Sequence, residues 1–462
     1  VVVVSLADAA PDLQARAASF VKEHRLPGAA VGVVCGDDLA WSAGVGFADV
    51  DAREQPRAAT LYRVASITKT FTGTAIMQLR DAGRLHLDDP AVAYLPELRQ
   101  ADSPFGPVET VTIRRMLSHE SGLVSEPPGT DWAIPAYEGV AERTLGQVAG
   151  IGTKVPPNLQ QKYSNLAYQL LGEIVARVSQ TPYPQYVKEA ILDPLAMSAT
   201  GFEPLPEPLL ARRATGYTHR AFSDELEQAP AMPPVWAEGG LWSCVEDLAR
   251  WLAFQLRAYR DPPPGSPVLA AAGLREAHKP RYLGDEWTIA WGISWYAVRR
   301  DEVVWIQHSG GLHGFTSNVC FDPKEQVGAI VLLNGSADAS ILAMDLAGTA
   351  RRSAHARPPT IEPPAPVPEA FRPLLGVYVQ PELELLVRLE WRDGKLTFID
   401  PAEPTWRPTL APTGDPDLFK VEPGVRESGE PVIFHRLADG RVASVFLAAF
   451  TLARFDRVIS GE

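Results

Sequence analysis

Between residues 355 and 373 the chain reads "HARPPTIEPPAPVPEAFRP", with seven prolines from Pro358 to Pro373. A proline has no amide donor and a fixed φ, so neither a helix interior nor a central strand can run through such a stretch. It reads as an extended linker over residues 355–368. The linker divides the chain of 462 residues into a long segment, 1–354, and a short one, 369–462. That length already exceeds what one hydrophobic core usually serves.

The two segments carry different periodicities. In the long one, Leu13, Ala17, Phe20 and Val21 recur at helical spacing from Pro11 to Arg25. "AAVGVVC" and "LAWSAGVGFADV" then flank Gly36-Asp37-Asp38 as a hairpin. Residues 67–260 are mostly helical in pattern, as in "ITKTFTGTAIMQLRDAG", "SNLAYQLLGEIVARVS" and "VEDLARWLAFQLRAY". Strand patterns return in "IAWGISWYAV", "EVVWIQHSG", "FTSNVCFDP" and "QVGAIVLLN", before a last helix near Ala337 to Arg351. Strands at both ends with helices between predict an α+β domain with a helical insert. Its antiparallel sheet is expected to take its edges from the two termini. Beyond the linker, short runs such as "LLGVYVQ" and "PVIFHRL" predict a small all-β barrel over 369–462.

Three local patterns carry chemistry. In "RVASITKTFTG", Lys69 follows Ser66 by three positions at the start of an apolar helix. Residues i and i+3 of a helix are neighbours, so the hydroxyl and the amine can touch. The positive field at a helix amino end disfavours an ammonium there and should lower the lysine's pKa, as a base beside a serine nucleophile requires. In "QKYSNLAYQ", Tyr163 and Asn165 are two apart just before another apolar helix, so both can reach one pocket, the tyrosine to move protons and the amide to orient substrate. In "IQHSGGLHGF", a strand ends at His308-Ser309-Gly310, followed by Gly311. Glycine there lets a ligand lie along the strand edge, with His308 expected to face the pocket.

Taken together, Ser66-Ile67-Thr68-Lys69, Tyr163-Ser164-Asn165 and His308-Ser309-Gly310 resemble, in order and separation, the SxxK, YxN and K/H-x-G motifs of penicillin-binding proteins, class C β-lactamases and related esterases and D-aminopeptidases. "LSHESGL" and "GGLWSCVEDLARW" resemble further segments of that family, and the resemblance spans about residues 7–352. It implies an antiparallel sheet flanked by helices with a helical subdomain. It also implies a Ser66 nucleophile forming an acyl-enzyme, with Lys69 and Tyr163 sharing acid and base work and Asn165 positioning substrate. Which of Lys69 and Tyr163 takes the first proton stays open. The oxyanion hole would join the Ser66 amide to one near Gly311 to His313. The C-terminal segment resembles the lipocalin-like domains attached to several members, which implies restricted access to the site or a role in homo-oligomers.

Histidine in place of lysine at position 308 removes a permanent cation suited to a substrate carboxylate. This places D-amino-acid peptidase or esterase activity on small amides, short peptides or esters ahead of β-lactamase activity. β-Lactams remain acylating ligands, and the alternatives are a penicillin-binding sensor with little turnover or a weak class C-type β-lactamase. "AWSAG" at Ala40–Gly44 approaches a lipase elbow but lies in a hairpin strand. His119, His313 and Glu238 border the motifs and read as turn or capping residues. A net charge of −13 argues against nucleic acid partners. Cys35, Cys244 and Cys320 have no metal-site spacing, so neither metal nor cofactor is expected. No apolar run is long enough for a membrane span. A cytoplasmic location is slightly favoured, with export left open by the chain's start at Val1.

Overall fold

The computed structural model describes residues 6–126, 151–219, 225–230, 236–284, 288–300, 302–355, 366–381, 385–401, 406–425, 427–447 and 450–455. Most of the proline-rich stretch, residues 356–365, lies outside them. The chain forms two compact units, Val1–Arg357 and Pro358–Glu462.

The first unit is built on an eight-stranded antiparallel sheet. Its strands are β1 (Gly28–Cys35), β2 (Asp38–Gly46), β7 (Tyr282–Leu283), β8 (Ile289–Trp291), β9 (Tyr296–Arg300), β10 (Val303–Leu312), β11 (Phe315–Asp322) and β12 (Val327–Leu333). Their order is β2-β1-β12-β11-β10-β9-β8-β7. Two short pairs stand apart, β3 (Tyr62–Arg63) with β6 (Trp242–Ser243), and β4 (Tyr217–His219) with β5 (Leu226–Gln228). The termini thus meet inside the sheet rather than at its two edges: β1 pairs with β12, and the edges are β2 and β7. Burial explains this. Every residue of β12 and all but the last of β1 are buried, so these strands are apolar on both faces and belong in the middle.

Alternation along β1 separates two cores. Ala30 and Val34 face the helical region, whereas Ala29, Val31 and Val33 face α1 (Ala10–Glu23) and the helix Ala339–His355. Gly32, between them, lets the helix Val245–Arg257 close in, because a Cβ there would lie 2.5 Å from Val245 Cγ1. That helix in turn holds α2 (Thr68–Asp81), the helix that follows Ser66. Trp251 stacks on Phe71 at 3.9 Å, and its indole N–H donates to Thr70 Oγ1 at 3.2 Å. The second unit is a closed eight-stranded barrel from Gly376 to Arg454, each strand paired to the next and the first to the last. Phe398, Phe419, Phe434 and Val445 help fill its interior.

No helix among the described residues is long and apolar enough to cross a membrane. Trp251 is fully buried. Replacing it by alanine should lower stability by about 3–5 kcal/mol in urea denaturation, and a loss below about 1 kcal/mol would show that this contact does not anchor α2.

Candidate active site

Ser66 lies in a single 3-10 turn, Ala65–Ile67, between β3 and α2. Ala65 has a φ of 47°, a left-handed conformation that costs an alanine energy and bends the chain so that Ser66 reaches the cleft. Lys69, on the first turn of α2, is wholly buried. Its Nζ donates to Ser66 Oγ at 3.0 Å and to the Glu238 carbonyl at 2.5 Å. Burial pulls its pKa down to about 7, against the pull of the Glu238 and Glu126 carboxylates. Desolvation is thus the first cause of the shift.

Asn165 opens the helix Asn165–Ser179, whose N-cap is Ser164, its Oγ accepting from the Ala167 amide, and Tyr163 stands just before that cap. The Lys69 ammonium stands 5.0 Å from the Tyr163 ring centre and 5.4 Å from that of Tyr168. Burial raises the Tyr163 pKa, a hydrogen bond with Ser66 partly opposing it, so the phenol keeps its proton. Asn165 lines the cleft and donates to Glu126 Oε1 at 2.6 Å, which leaves its own Oδ1 as an acceptor.

Two residues that the sequence assigned to turns belong to this constellation. His119 does occupy a turn, at φ 61°, yet its ring stacks on Tyr163 at 4.1 Å. Its Nδ1 accepts from the Ser164 amide, and burial with the nearby Lys69 charge holds it neutral. Glu238 offers Lys69 its carbonyl, while its carboxylate accepts from Gln169 at 2.9 Å. The other carboxylate oxygen has no partner among the described residues, and burial lifts the group to about 7. In the sequence Glu238 is marked by its place just before the segment that begins at Gly239.

The far wall is the end of β10. That strand pairs with β9 only from Val303 to Gln307 and with β11 as far as Leu312, so its β9-side edge is free from His308 onward. Gly310 packs on the nucleophile segment, where a Cβ would lie 2.2 Å from the Val64 carbonyl. Ser317 Oγ donates to that same carbonyl at 2.8 Å. Two-residue alternation puts His308 on the face of Gly310. That face packs on Val64 and Ala65 beside Ser66, so His308 lies on the Ser66 side of the strand, where it feels the Lys69 charge; it is 1% exposed, and its ring packs near Trp291 and Tyr296. Its Nδ1 is hydrogen-bonded to the Ser309 carbonyl, and burial lowers its pKa to about 3. Ser309 Oγ accepts from the Tyr296 hydroxyl at 3.0 Å. The cleft, about 330 Å³, is lined by Gly311, Leu312 and His313 together with Ser66, Asn165 and Glu238.

A serine held against a buried lysine, with a tyrosine beside it and a strand edge across a cleft, is the arrangement expected from the resemblance to β-lactamases and penicillin-binding proteins. The chain matches the β-lactamase family over residues 13–350 and belongs to it. It is 29% identical over 326 residues to Protein flp of Staphylococcus aureus, covering 68% of this chain. It spans only 61% of the length of that relative. Among solved structures, it resembles the octameric penicillin-binding protein homologue from Pyrococcus abyssi, with a TM-score of 0.63, 23% identity and coverage of 96% and 99% of the two chains. It also resembles a D-stereospecific amidohydrolase from Streptomyces sp., with a TM-score of 0.61, 22% identity and coverage of 73% and 98%.

A lysine base is active only when unprotonated, so kcat/KM for an activated ester should rise with pH through about 7. Glu238→Gln removes a negative charge that raises the Lys69 pKa, so the acid limb should move to lower pH. A shift to higher pH in the pH–rate profile would contradict this electrostatic assignment.

Proposed function

We propose that the protein hydrolyses small amide or ester substrates through a Ser66 acyl-enzyme, with D-amino-acid peptides and short acyl esters as the substrate class. The observation that carries this reading is the 3.0 Å contact between Lys69 Nζ and Ser66 Oγ, made by an amine whose pKa is brought down to about 7. Neutral Lys69 takes the serine proton as Oγ attacks the carbonyl. Tyr163, protonated and next to Ser66, relays that proton: it gives its own to the leaving group and takes the one held by Lys69, so that both residues end as they began. The amides of Ser66 and Gly311, both on the cleft wall, receive the oxyanion, each such donor lowering the barrier by roughly 3–4 kcal/mol. Asn165 Oδ1 and the free edge of β10 align the substrate backbone. Water then releases the acyl group by the reverse proton path.

The neutral, buried His308 favours this reading over a dedicated β-lactamase, since no fixed cation stands there for a β-lactam carboxylate. β-Lactams are accordingly slow acylating ligands. The likeness to a D-stereospecific amidohydrolase supports the D-amino-acid side of the substrate class. The barrel, we infer, serves assembly, a reading supported by the octameric homologue that is similar over both units.

Ser66→Ala should cut turnover of p-nitrophenyl acetate and D-alanine p-nitroanilide by more than about 10³-fold in a folded protein; unchanged rates would sink the mechanism. Light scattering of the full chain should give a multiple of the single-chain mass, and a single-chain mass would remove the assembly role.

A further inference from the structure

Asn165 opens its helix against a segment that is tied to it on both sides. The Ser125 carbonyl accepts from the Asn165 amide at 2.8 Å and from the Leu166 amide at 3.2 Å. Ser164 Oγ donates to the Val124 carbonyl at 2.8 Å, and Lys162 Nζ donates to Ser125 Oγ at 2.7 Å. Residues 124 and 125 are thereby held to the turn that carries Tyr163 and Asn165. The next residue, Glu126, is delivered to the Asn165 side chain, where its Oε1 accepts from Nδ2 at 2.6 Å.

A side-chain amide donates at one end and accepts at the other, whereas an ionised carboxylate only accepts. Glu126 acts as an anion on both Lys69 and Lys162, raising the pKa of each. Turning the Asn165 amide over would set Oδ1 against Oε1, two acceptors with no proton between them. The contact at Oε1 therefore fixes which end of the amide faces Glu126, whatever the other carboxylate oxygen meets. Asn165 is only partly buried and lines the cleft with Ser66, and no described residue donates to its Oδ1. The end left for a substrate is an acceptor. A ligand group that fits it brings an N–H, and a carbonyl oxygen set there would meet a like pole. In a cleft of about 330 Å³ that also holds Ser66, the group read by Asn165 lies within a few bonds of the carbonyl under attack.

We propose that Glu126 is a positioning residue that fixes the polarity of Asn165, and that the cleft consequently selects acyl donors with an N–H close to the scissile carbonyl. Aminoacyl and peptidyl donors are then preferred over plain acyl esters. This selection rests on the hydrolase reading, whereas the orientation of Asn165 by Glu126 does not.

The test uses the full chain and two anilides that differ at one position: N-acetyl-D-alanine p-nitroanilide and O-acetyl-D-lactic acid p-nitroanilide, in which oxygen replaces the N–H. At about pH 9, above the titration of Lys69, wild type should favour the first by about tenfold or more in kcat/KM, the scale of one acceptor left unpaired. Both compounds share the scissile bond, so a change in Lys69 or a general loss of structure cancels in the ratio. Glu126→Ala frees the amide to turn over and should bring the ratio close to one. Glu126→Gln can offer Asn165 either an acceptor or a donor and should keep only part of the preference; it decides alone if the alanine variant does not fold. A wild-type ratio near one, or a ratio undiminished in the variants, overturns the proposal. If neither anilide is cleaved, calorimetry takes over: N-acetyl-D-alanine amide should bind wild type about tenfold more tightly than O-acetyl-D-lactamide, and Glu126→Gln should narrow the gap. Equal affinities, an unaltered gap or no binding overturns the role of Glu126. If p-nitrophenyl acetate is not cleaved either, it is the hydrolase reading that has failed, and the calorimetric result still stands for or against Glu126.

Discussion

The arrangement depends on keeping one amine dry. Lys69 is a long cationic side chain in the core, where an ammonium without compensation is among the costlier groups to bury. Its neighbours reduce that cost without removing it. The Glu238 carbonyl and the Ser66 hydroxyl accept its hydrogens, and the faces of Tyr163 and Tyr168 present negative charge density. The residual penalty is what makes the neutral amine accessible near pH 7. A better-compensated lysine would stay protonated at that pH.

The same dryness sorts the other titratable groups. His119 and His308 feel the Lys69 charge and are buried themselves, so both are held neutral. His119 is then a flat wall for Tyr163, and His308 a packing element between aromatic rings, neither a competing cation. Glu238 is shifted the opposite way, toward protonation, and with Lys69 it lets the buried pair hold a proton near neutrality at little change in net charge. Rigidity around this centre comes from the sheet: Gly310 and Ser317 fix β10 and β11 on the Val64 carbonyl, two residues before the nucleophile.

What could be read in the sequence was what is local. Ser66 and Lys69 are one helical turn apart, and Tyr163 and Asn165 flank one N-cap, so short-range geometry alone brings each pair together. The alternation of β1 and the barrel strands is likewise a local pattern. Glu238 and His119 escaped because their roles arise from distant segments, 169 positions from Lys69 in one case and 45 from Ser164 in the other. The depth of His308 was hidden for a related reason. A strand pattern tells that neighbours face opposite ways, but only the packing of Gly310 on Val64 and Ala65 tells that the face shared with His308 is the one against the Ser66 segment. The edge order of the sheet needed the same kind of information, since doubly apolar β1 and β12 mark a central position more firmly than their place near the ends of the segment marks an edge.

These observations separate chemistry from recognition. Under the proposed mechanism Lys69 titrates near neutrality and the two buried histidines are neutral, so none of the three carries a charge through the whole pH range. Substrate recognition would then rest on the strand edge of β10 and on Asn165, while the chemical rate would follow the loss of the Lys69 proton. A permanent cation at the position of His308 would lower the Lys69 pKa further, leaving more of the amine neutral at pH 7 but making it a weaker proton acceptor.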